Sequence, residues 1–159
     1  MTGATTADRE ITFEREFNAP RNLVFKAWTD CQSLAHWWGP TGWTLPGCEM
    51  DLRPGGKWLY GMRGPNGEES WGLAVYREIV EPERLVYTDN FSDAEGNVNS
   101  AMPQMEITVL FAELDGKTRV SMHAVAASAE QVKQLLGMGM VEGMNQTWDR
   151  LDAFLAAAS

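Results

Sequence analysis

The sequence predicts an α+β fold in which a seven-stranded antiparallel sheet wraps around a long C-terminal helix. Between residues 43 and 125, apolar and polar side chains alternate in short runs separated by Gly, Pro and Asn, which is typical of antiparallel strands joined by turns. Over residues 128–157 the apolar side chains recur every three or four positions, which is typical of an amphipathic helix. This helix is the only predicted element long enough to bury the apolar face of the sheet.

The first predicted strand contains Ile11, Phe13 and Phe17, which alternate with polar residues. Arg15 falls on the apolar face of this strand and has two interpretations. In the first, its aliphatic stem packs at the strand end while its charged head reaches water. In the second, the guanidinium points inward, towards a buried carboxylate or a polar group of a ligand.

Two short helices are predicted after the first strand. Pro20 is tolerated in the first turn of one helix, Asp30 can cap the other, and Gly39 with Pro40 ends it. Two helices of this length do not form a crossover between parallel strands. We therefore expect them to form a V-shaped pair that covers one end of the sheet.

Six further strands are predicted from the period of two. They contain residues 44–52, 58–62, 71–79, 85–91, 105–111 and 120–124. Turn sequences separate them, among them the Gly-Pro-Asn-Gly of residues 64–67, because Asn and Gly tolerate positive φ. Residues 92–103 are the longest irregular stretch, which we interpret as a plain hairpin loop or as a lid over a cavity mouth.

One continuous C-terminal helix is predicted, with Ser128 and Gln131 forming a capping box at its start. Its apolar face contains Val132, Leu135, Val141, Met144, Trp148, Leu151 and Leu155. Gly137, Gly139 and Gly143 lie inside this helix, where each costs about 1 kcal/mol relative to Ala. They indicate either a kinked core helix or a helix that walls a cavity.

The composition excludes several classes of partner. The formal net charge of −9 is unfavourable for binding nucleic-acid phosphates or anionic lipids. No apolar run approaches the length of a membrane span. Residues 1–8 lack the apolar segment of a secretory signal, so we expect them to be disordered and residues 9–159 to form a single cytoplasmic domain. The seven Trp and nine Met are typical of an adaptable binding pocket, and also of a well-filled core.

Few residues have the spacing of a catalytic or metal site. His36 and His123 form no zinc-binding motif, so we expect no metal and no cofactor. Cys31 and Cys48 also lack metal-ligand spacing, and we expect both to be free thiols, as in most cytosolic chains. His123 lies on a strand and is interpreted as a structural residue, or as a polar anchor or general base in a cavity with Glu106 beside it.

Five segments carry a resemblance to a known family. They are residues 17–21 (Phe-Asn-Ala-Pro-Arg), 24–28 (Val-Phe-Lys-Ala-Trp), 37–40 (Trp-Trp-Gly-Pro), 81–86 (Glu-Pro-Glu-Arg-Leu-Val) and 140–148 (Met-Val-Glu-Gly-Met-Asn-Gln-Thr-Trp). These segments resemble the START-like (SRPBCC) helix-grip superfamily and, within it, the domain similar to the activator of the Hsp-90 ATPase. The resemblance covers nearly the whole chain.

The resemblance implies a seven-stranded sheet that grips the C-terminal helix, commonly with an apolar cavity between them. It implies no single function, since members include co-chaperone domains, small-molecule carriers, polyketide-cyclase-like enzymes and uncharacterised bacterial proteins. Two residues depart from the family pattern. Cys31 stands where relatives often have Pro, and Trp148 stands where a smaller aliphatic residue is common, so Trp148 is expected to reduce the cavity.

Three functions remain open from the sequence. We favour a non-enzymatic module that binds a small hydrophobic molecule, as a monomer or homodimer. Its candidate ligand-binding residues are Trp58, Tyr60, Trp71, Tyr87, Met105, His123, Met144 and Trp148. The second function is a cyclase-like or hydrolytic enzyme that uses His123 with Glu106 or Arg15. The third is a protein-interaction domain that acts on a chaperone or another partner.

Overall fold

The fold consists of one antiparallel sheet with helices packed against one of its faces. The computed structural model describes residues 3–158. The strands are β1 (Gly3–Ala7), β2 (Glu10–Phe17), β3 (Thr44–Met50), β4 (Lys57–Arg63), β5 (Glu69–Val80), β6 (Arg84–Ser92), β7 (Gln104–Leu114) and β8 (Lys117–Ala126). The helices are α1 (Arg21–Trp28), α2 (Cys31–Trp37), α3 (Ala129–Gly137) and α4 (Met140–Ala158).

The strand order is β1-β2-β8-β7-β6-β5-β4-β3, and all neighbouring pairs are antiparallel. This arrangement confirms the predicted helix-grip fold, with the seven predicted strands as β2–β8. The structure adds an eighth strand, because Gly3–Ala7 pairs with β2 at the edge of the sheet. The sequence predicted disorder for this segment.

The C-terminal region is two helices, so the prediction of one continuous helix is wrong. The break lies at Met138 and Gly139, and Gly139 has a φ of +84°, which an α-helix does not allow. The predicted N-terminal cap of α3 is present, because Ser128 accepts a hydrogen bond from the backbone N–H of Gln131. The Gln131 side chain accepts from the N–H of Ala127 rather than from Ser128.

The strand register separates the sheet into an inner face, which contacts the helices, and an outer face. Tyr60 lies opposite Gly72, which lies opposite Phe91, so all three share the inner face. The inner face also contains Trp58, Tyr87, Met105, Ile107, Val109, Met122 and Phe13. These residues supply much of the buried core.

The sequence placed Trp71 among the candidate ligand-binding residues, whereas the structure places it on the outer face of β5. Trp71, Leu73 and Val75 lie on the outer face, because Trp71 pairs with Gly61 and not with Tyr60. A bulge after Tyr76 shifts the register, so that Ile79 returns to the inner face opposite Leu85. Periodicity alone did not distinguish the faces, since both sides of β5 carry apolar residues.

Trp148 lies at the centre of the core between α4, β2 and α1. Its indole is fully buried and makes edge-to-face contacts with Phe17, Phe13 and Trp28, at centroid distances of 5.6, 6.3 and 6.4 Å. Aromatic pairs in this geometry add about 0.5–1.5 kcal/mol beyond the burial of apolar area. Trp148 therefore fills the end of the sheet that α1 covers.

Arg15 points inward and joins the sheet to α4. Its side chain is buried, and Nη1 lies 2.9 Å from a carboxylate oxygen of Asp149 and 3.2 Å from one of Asp152. The inward position of the guanidinium is confirmed, but the interpretation placed a buried carboxylate opposite it, and the two carboxylates found there are not buried. Both acids remain substantially exposed, so the pairs lie at the edge of the helix–sheet interface.

The expectation of two free thiols is wrong, because Cys31 and Cys48 form a disulfide. The α2 helix packs on β3, which brings the two Cα atoms to 5.8 Å, within the range that a disulfide bridges. The residues are 17 positions apart in different elements, so no spacing rule indicated the pair.

The disulfide predicts the result of a thiol titration. We expect the denatured, non-reduced protein to show no free thiol and the reduced protein to show two. Cys31→Ser serves as the matched control and should expose one thiol without reductant. Two thiols in the non-reduced wild-type protein would show that the bond does not form.

Candidate functional site

An open cleft lies between the inner face of the sheet and the first half of α4. Its volume is about 270 Å³. The segment after α2 closes one side of it, β4 and β6 form its floor, and the break between α3 and α4 lies at its edge. The lining residues are Trp38, Gly39, Pro40, Tyr60, Met62, Asp89, Gly139, Met140, Gly143, Met144 and Thr147.

Glycines keep this region of the interface open. A Cβ added at Gly143 would meet one neighbouring atom within 4 Å, the Cγ of Pro40 at 3.8 Å, so a side chain there would extend into the cleft. On the sheet side, a Cβ at Gly72 would lie 2.2 Å from Cζ of Tyr60. The phenol ring therefore lies across Gly72, and its hydroxyl reaches towards β6.

The polar group at the floor of the cleft is a Tyr60–Asp89 pair. The hydroxyl of Tyr60 donates a hydrogen bond of 2.8 Å to Oδ1 of Asp89. Burial raises the pKa of Asp89 from 3.8 to about 6, although the hydrogen bonds from Tyr60 and from the Asn90 backbone act in the opposite direction. Burial, followed by the charge of Asp89, also raises the pKa of Tyr60 well above 10, so Tyr60 remains a donor.

A second, smaller cavity of about 90 Å³ adjoins the cleft. The two cavities share Tyr60, Met62 and Asp89. Met105, Phe91 and Pro103 line the far side of the smaller cavity. Residues 92–103 were predicted to form a hairpin loop or a lid. Pro103 is the residue of this segment that lines the smaller cavity, and no residue of the segment lines the larger cleft.

Arg150 holds the segment after α2 against α4. Its Nη1 donates to the carbonyls of Gly39, Trp43 and Pro40 at 2.8, 3.0 and 3.2 Å, and Nη2 donates to that of His36 at 3.3 Å. Hydrogen bonds from a charged donor are stronger than neutral ones. Trp38 and Pro40 are thereby positioned as a wall of the cleft.

The profile of a known family, described as Activator of Hsp90 ATPase homolog 1-like protein, matches residues 18–156. The chain belongs to this family. The match extends from the segment before α1 to the end of α4, and therefore includes every residue that lines the cleft. No curated protein matches the sequence.

Solved structures of bacterial proteins show the same fold as this Activator of Hsp90 ATPase homolog 1-like domain. Protein Ms6760 from Mycobacterium smegmatis is 32% identical, with a TM-score of 0.85, 96% of this chain covered and 97% of that chain. A protein from Arthrobacter aurescens is 30% identical, with a TM-score of 0.88 and coverage of 98% and 91%. Protein NE0264 from Nitrosomonas europaea is 26% identical, with a TM-score of 0.84 and coverage of 97% and 98%.

Six of the eight predicted ligand-binding residues line the cleft or the smaller cavity of this family member, or lie directly behind them. Tyr60 and Met144 line the cleft, and Met105 lines the smaller cavity. Trp58 and Tyr87 are buried behind Tyr60, with centroids 4.8 Å from Trp58 to Tyr60 and 6.0 Å from Trp58 to Tyr87. These two support the wall without lining it.

Of the remaining three residues, Trp71 lines the smaller cavity, and the other two lie elsewhere. Trp148 packs against β2 and α1, away from the cleft. The Trp71 indole lies over Gly61 on the outer face, although the residue also borders the smaller cavity. His123 lies on the outer face, with Nδ1 at 3.1 Å from Oε1 of Glu10 and 3.4 Å from Oγ1 of Thr12.

The catalytic combinations considered from the sequence divide between the two faces. His123 lies opposite Thr108 on the outer face. Glu106 shares that face, because it lies two residues before Thr108 on β7. Arg15 lies on the inner face and is paired with carboxylates of α4. His123 and Arg15 therefore do not form a joint site. Among residues 3–158, no cluster of His, Cys, Asp or Glu could hold a metal ion.

Asp89 is the charged residue of the cleft that sequence reasoning missed. It occupies an inner-facing position of β6, in the same alternating series as Leu85, Tyr87 and Phe91. A carboxylate in an otherwise apolar series is costly to bury, and this signal could have indicated a site. Sequence spacing could not identify Met62, Trp38 and Met140 as residues that line one cleft, because they belong to three separate segments. No helix within the described residues 3–158 is both long and apolar enough to cross a membrane.

Proposed function

We propose that this protein binds a small hydrophobic molecule, without catalysing a reaction, in the cleft between β4, β6 and α4. The cleft of about 270 Å³ carries this proposal, because it remains open beside a core that is otherwise filled by large aromatic side chains. Most of the residues that line the cleft are apolar. An apolar molecule bound there would remove this lining from water, which is favourable.

The volume restricts the size of the ligand. An engineered cavity of about 150 Å³ accepts benzene, and pockets for drug-sized molecules begin near 300 Å³. The cleft is therefore suited to one or two fused rings or a short acyl chain, and is too small for a sterol. Burial of apolar area contributes about 25 cal/mol per Å², part of which is lost on immobilising the ligand, so we expect affinities on the order of micromolar.

The cleft wall can adapt to different ligand shapes. Met62, Met140 and Met144 line it from β4 and α4. Methionine side chains are unbranched and polarizable, and they fill irregular spaces around varied ligands. Trp38 adds a rigid aromatic surface that lies 5.6 Å, centroid to centroid, from Tyr60.

Filling the cleft should abolish binding. Titration with neutral ring compounds and short acyl compounds should produce a saturable change in tryptophan emission, because Trp38 lines the cleft. We expect Gly143→Leu to remove this response, since its side chain would extend towards Pro40. Gly137→Leu is the matched control, because no atom lies within 4 Å of a Cβ there and the position does not line the cleft.

Circular dichroism should show that both variants retain the sheet. Absence of a saturable signal from every compound with the wild-type protein would refute binding in the cleft. An equal signal in the wild-type protein and in Gly143→Leu would place the ligand elsewhere.

A catalytic function is the second candidate, because Asp89 has the properties of a general base. Its pKa of about 6 lies close to neutral pH, where a base is most effective, and it faces an apolar cavity. This assigns the base to Asp89 in place of His123. We favour binding alone, since Asp89 has the Tyr60 hydroxyl as its partner, no second carboxyl group lines the cleft, and the Thr147 hydroxyl donates to the Gly143 carbonyl rather than to Asp89.

A protein-interaction function is less favoured by the surface. Large interaction sites expose contiguous apolar patches. The exposed large apolar side chains among the described residues are Leu52, Val98, Leu110 and Met138, which belong to four separate segments. They do not supply the patch that docking on a chaperone would use.

A further inference from the structure

The cleft contains one negative charge and no positive charge. Asp89 is the sole residue with a carboxylate among those lining the two cavities, and none of the lining residues is Lys, Arg or His. The other titratable groups near Asp89 are Tyr60, whose hydroxyl donates to it, and Tyr87, whose pKa is raised by burial and then by the charge of Asp89. Neither α4 nor the segment after α2 contributes a charged side chain to the lining.

The two arginines that contact α4 or belong to it, Arg15 and Arg150, have other partners. Arg150 donates to four backbone carbonyls on the far side of the segment after α2, and it does not line the cleft. Arg15 pairs with Asp149 and Asp152. No side chain of residues 3–158 therefore neutralises Asp89.

The hydrogen-bonding capacity of Asp89 is only partly used. The Tyr60 hydroxyl and the backbone N–H of Asn90 donate to the carboxylate, and no other side chain of the described residues does so. A carboxylate can accept about four hydrogen bonds, and a buried carboxylate is costly unless donors or a counter-charge are supplied. The unfilled positions and the uncompensated charge face the same open cleft.

We propose that the ligand of the cleft is a hydrophobic amine, bound as its ammonium ion with the Asp89 carboxylate as counter-ion. The ammonium group would donate to Asp89, and the apolar body would pack against Met62, Met144 and Trp38. This inference rests on the proposed function, since it names the chemical class of the molecule that the cleft binds.

Two further features favour a cation. Trp38 and Tyr60 line the cleft, and aromatic rings attract ammonium groups. The formal net charge of −9 raises the local concentration of cations around the protein. A carboxylic acid ligand would place its charge near Asp89 with no basic side chain to receive it, so fatty acids are disfavoured.

The proposal is tested with three probes that share one apolar body. Adamantylmethylamine is a cation at neutral pH, adamantylmethanol is neutral, and adamantanecarboxylate is an anion. None absorbs at the tryptophan wavelengths, so the emission reports binding directly. We expect the amine to bind roughly ten- to hundred-fold more tightly than the alcohol, as a hydrogen-bonded charge pair does, and the acid to bind most weakly.

Asp89→Asn keeps the shape of the side chain and removes its charge. We expect this variant to bind the amine and the alcohol with equal affinity and to bind the alcohol as the wild-type protein does. Glu113→Gln is the matched control, because it removes one exposed negative charge at the other end of β7 from Met105. It should retain the preference for the amine.

The pH dependence gives an independent readout. Binding of the amine to the wild-type protein should weaken roughly tenfold between pH 7 and pH 5, because Asp89 becomes protonated near pH 6. Asp89→Asn should show no such change. Equal binding of amine and alcohol by the wild-type protein would overturn the amine proposal but leave the proposed function intact. Absence of binding by all three probes would contradict both, provided that the larger panel of ring and acyl compounds also fails.

Discussion

Trp148→Ala should lower the free energy of unfolding by about 3–5 kcal/mol, the usual cost of truncating a buried Trp. Trp148 is fully buried and contacts Phe13, Phe17 and Trp28. Its truncation therefore leaves a cavity between α4, β2 and α1. For a domain of this size each kcal/mol changes the melting temperature by about 2–4 °C. The expected decrease is therefore roughly 6–20 °C.

Two variants serve as controls for this result. Trp148→Phe retains an aromatic ring and removes an indole N–H that has no hydrogen-bond partner, so it should cost less than the alanine variant. Trp71→Ala removes an indole that is half-buried on the outer face, and its cost should also be smaller. Urea unfolding and thermal unfolding, both measured by circular dichroism, compare all three variants. A decrease under about 3 °C for Trp148→Ala would show that Trp148 is not the central packing residue.

Asp89→Asn should raise the free energy of unfolding at pH 7.5 by about 1–3 kcal/mol and leave it almost unchanged at pH 4. The folded-state pKa of Asp89, about 6, lies above its ordinary value of 3.8. The native state therefore binds more protons than the unfolded state between these two values. Stability of the wild-type protein must then decrease as the pH rises from about 4 to about 6, and remain low above that range.

Asp93→Asn is a control for which we expect the opposite change in the free energy of unfolding at pH 7.5. Asp93 is exposed, and hydrogen bonds from Asn97 and from nearby backbone N–H groups lower its pKa. Its contribution to stability is therefore present at neutral pH and is lost as the pH falls, so Asp93→Asn should destabilise the protein at pH 7.5. Urea unfolding between pH 4 and pH 8 measures both variants. If Asp89→Asn lowered the free energy of unfolding by the same amount at every pH, ionisation of Asp89 would not be the source of the pH dependence.

A residue that lowers the free energy of unfolding at neutral pH is evidence for a function. Asp89 faces an open cleft, its charge has no basic partner among the described residues, and an uncharged isostere would fold more stably. An ammonium ligand would supply the missing counter-charge and recover the lost stability. The same substitution should therefore raise stability and remove the preference for a cationic ligand.

The sequence by itself determined the order and type of nearly all elements. The strands of the sheet follow from a period of two, and the apolar face of α4 follows from spacings of three and four, because these periods arise from local backbone geometry. Trp148 and Leu151 were correctly placed in the core for this reason. The inward position of Arg15 was one of two readings that the alternation allowed.

Tertiary structure decided what depends on residues that are distant in the chain. Alternation places Trp71 and Gly72 on opposite faces of β5, but only the packing of α4 decides which face is inner, and it selects Gly72, under the Tyr60 ring. The disulfide exists because α2 packs on β3. The raised pKa of Asp89 has the same origin, since its cause is burial, and the residues that bury this carboxyl belong to other strands and to α4. Local periodicity specifies where a side chain points along its own element, whereas burial and charge environment are set by the elements that pack around it.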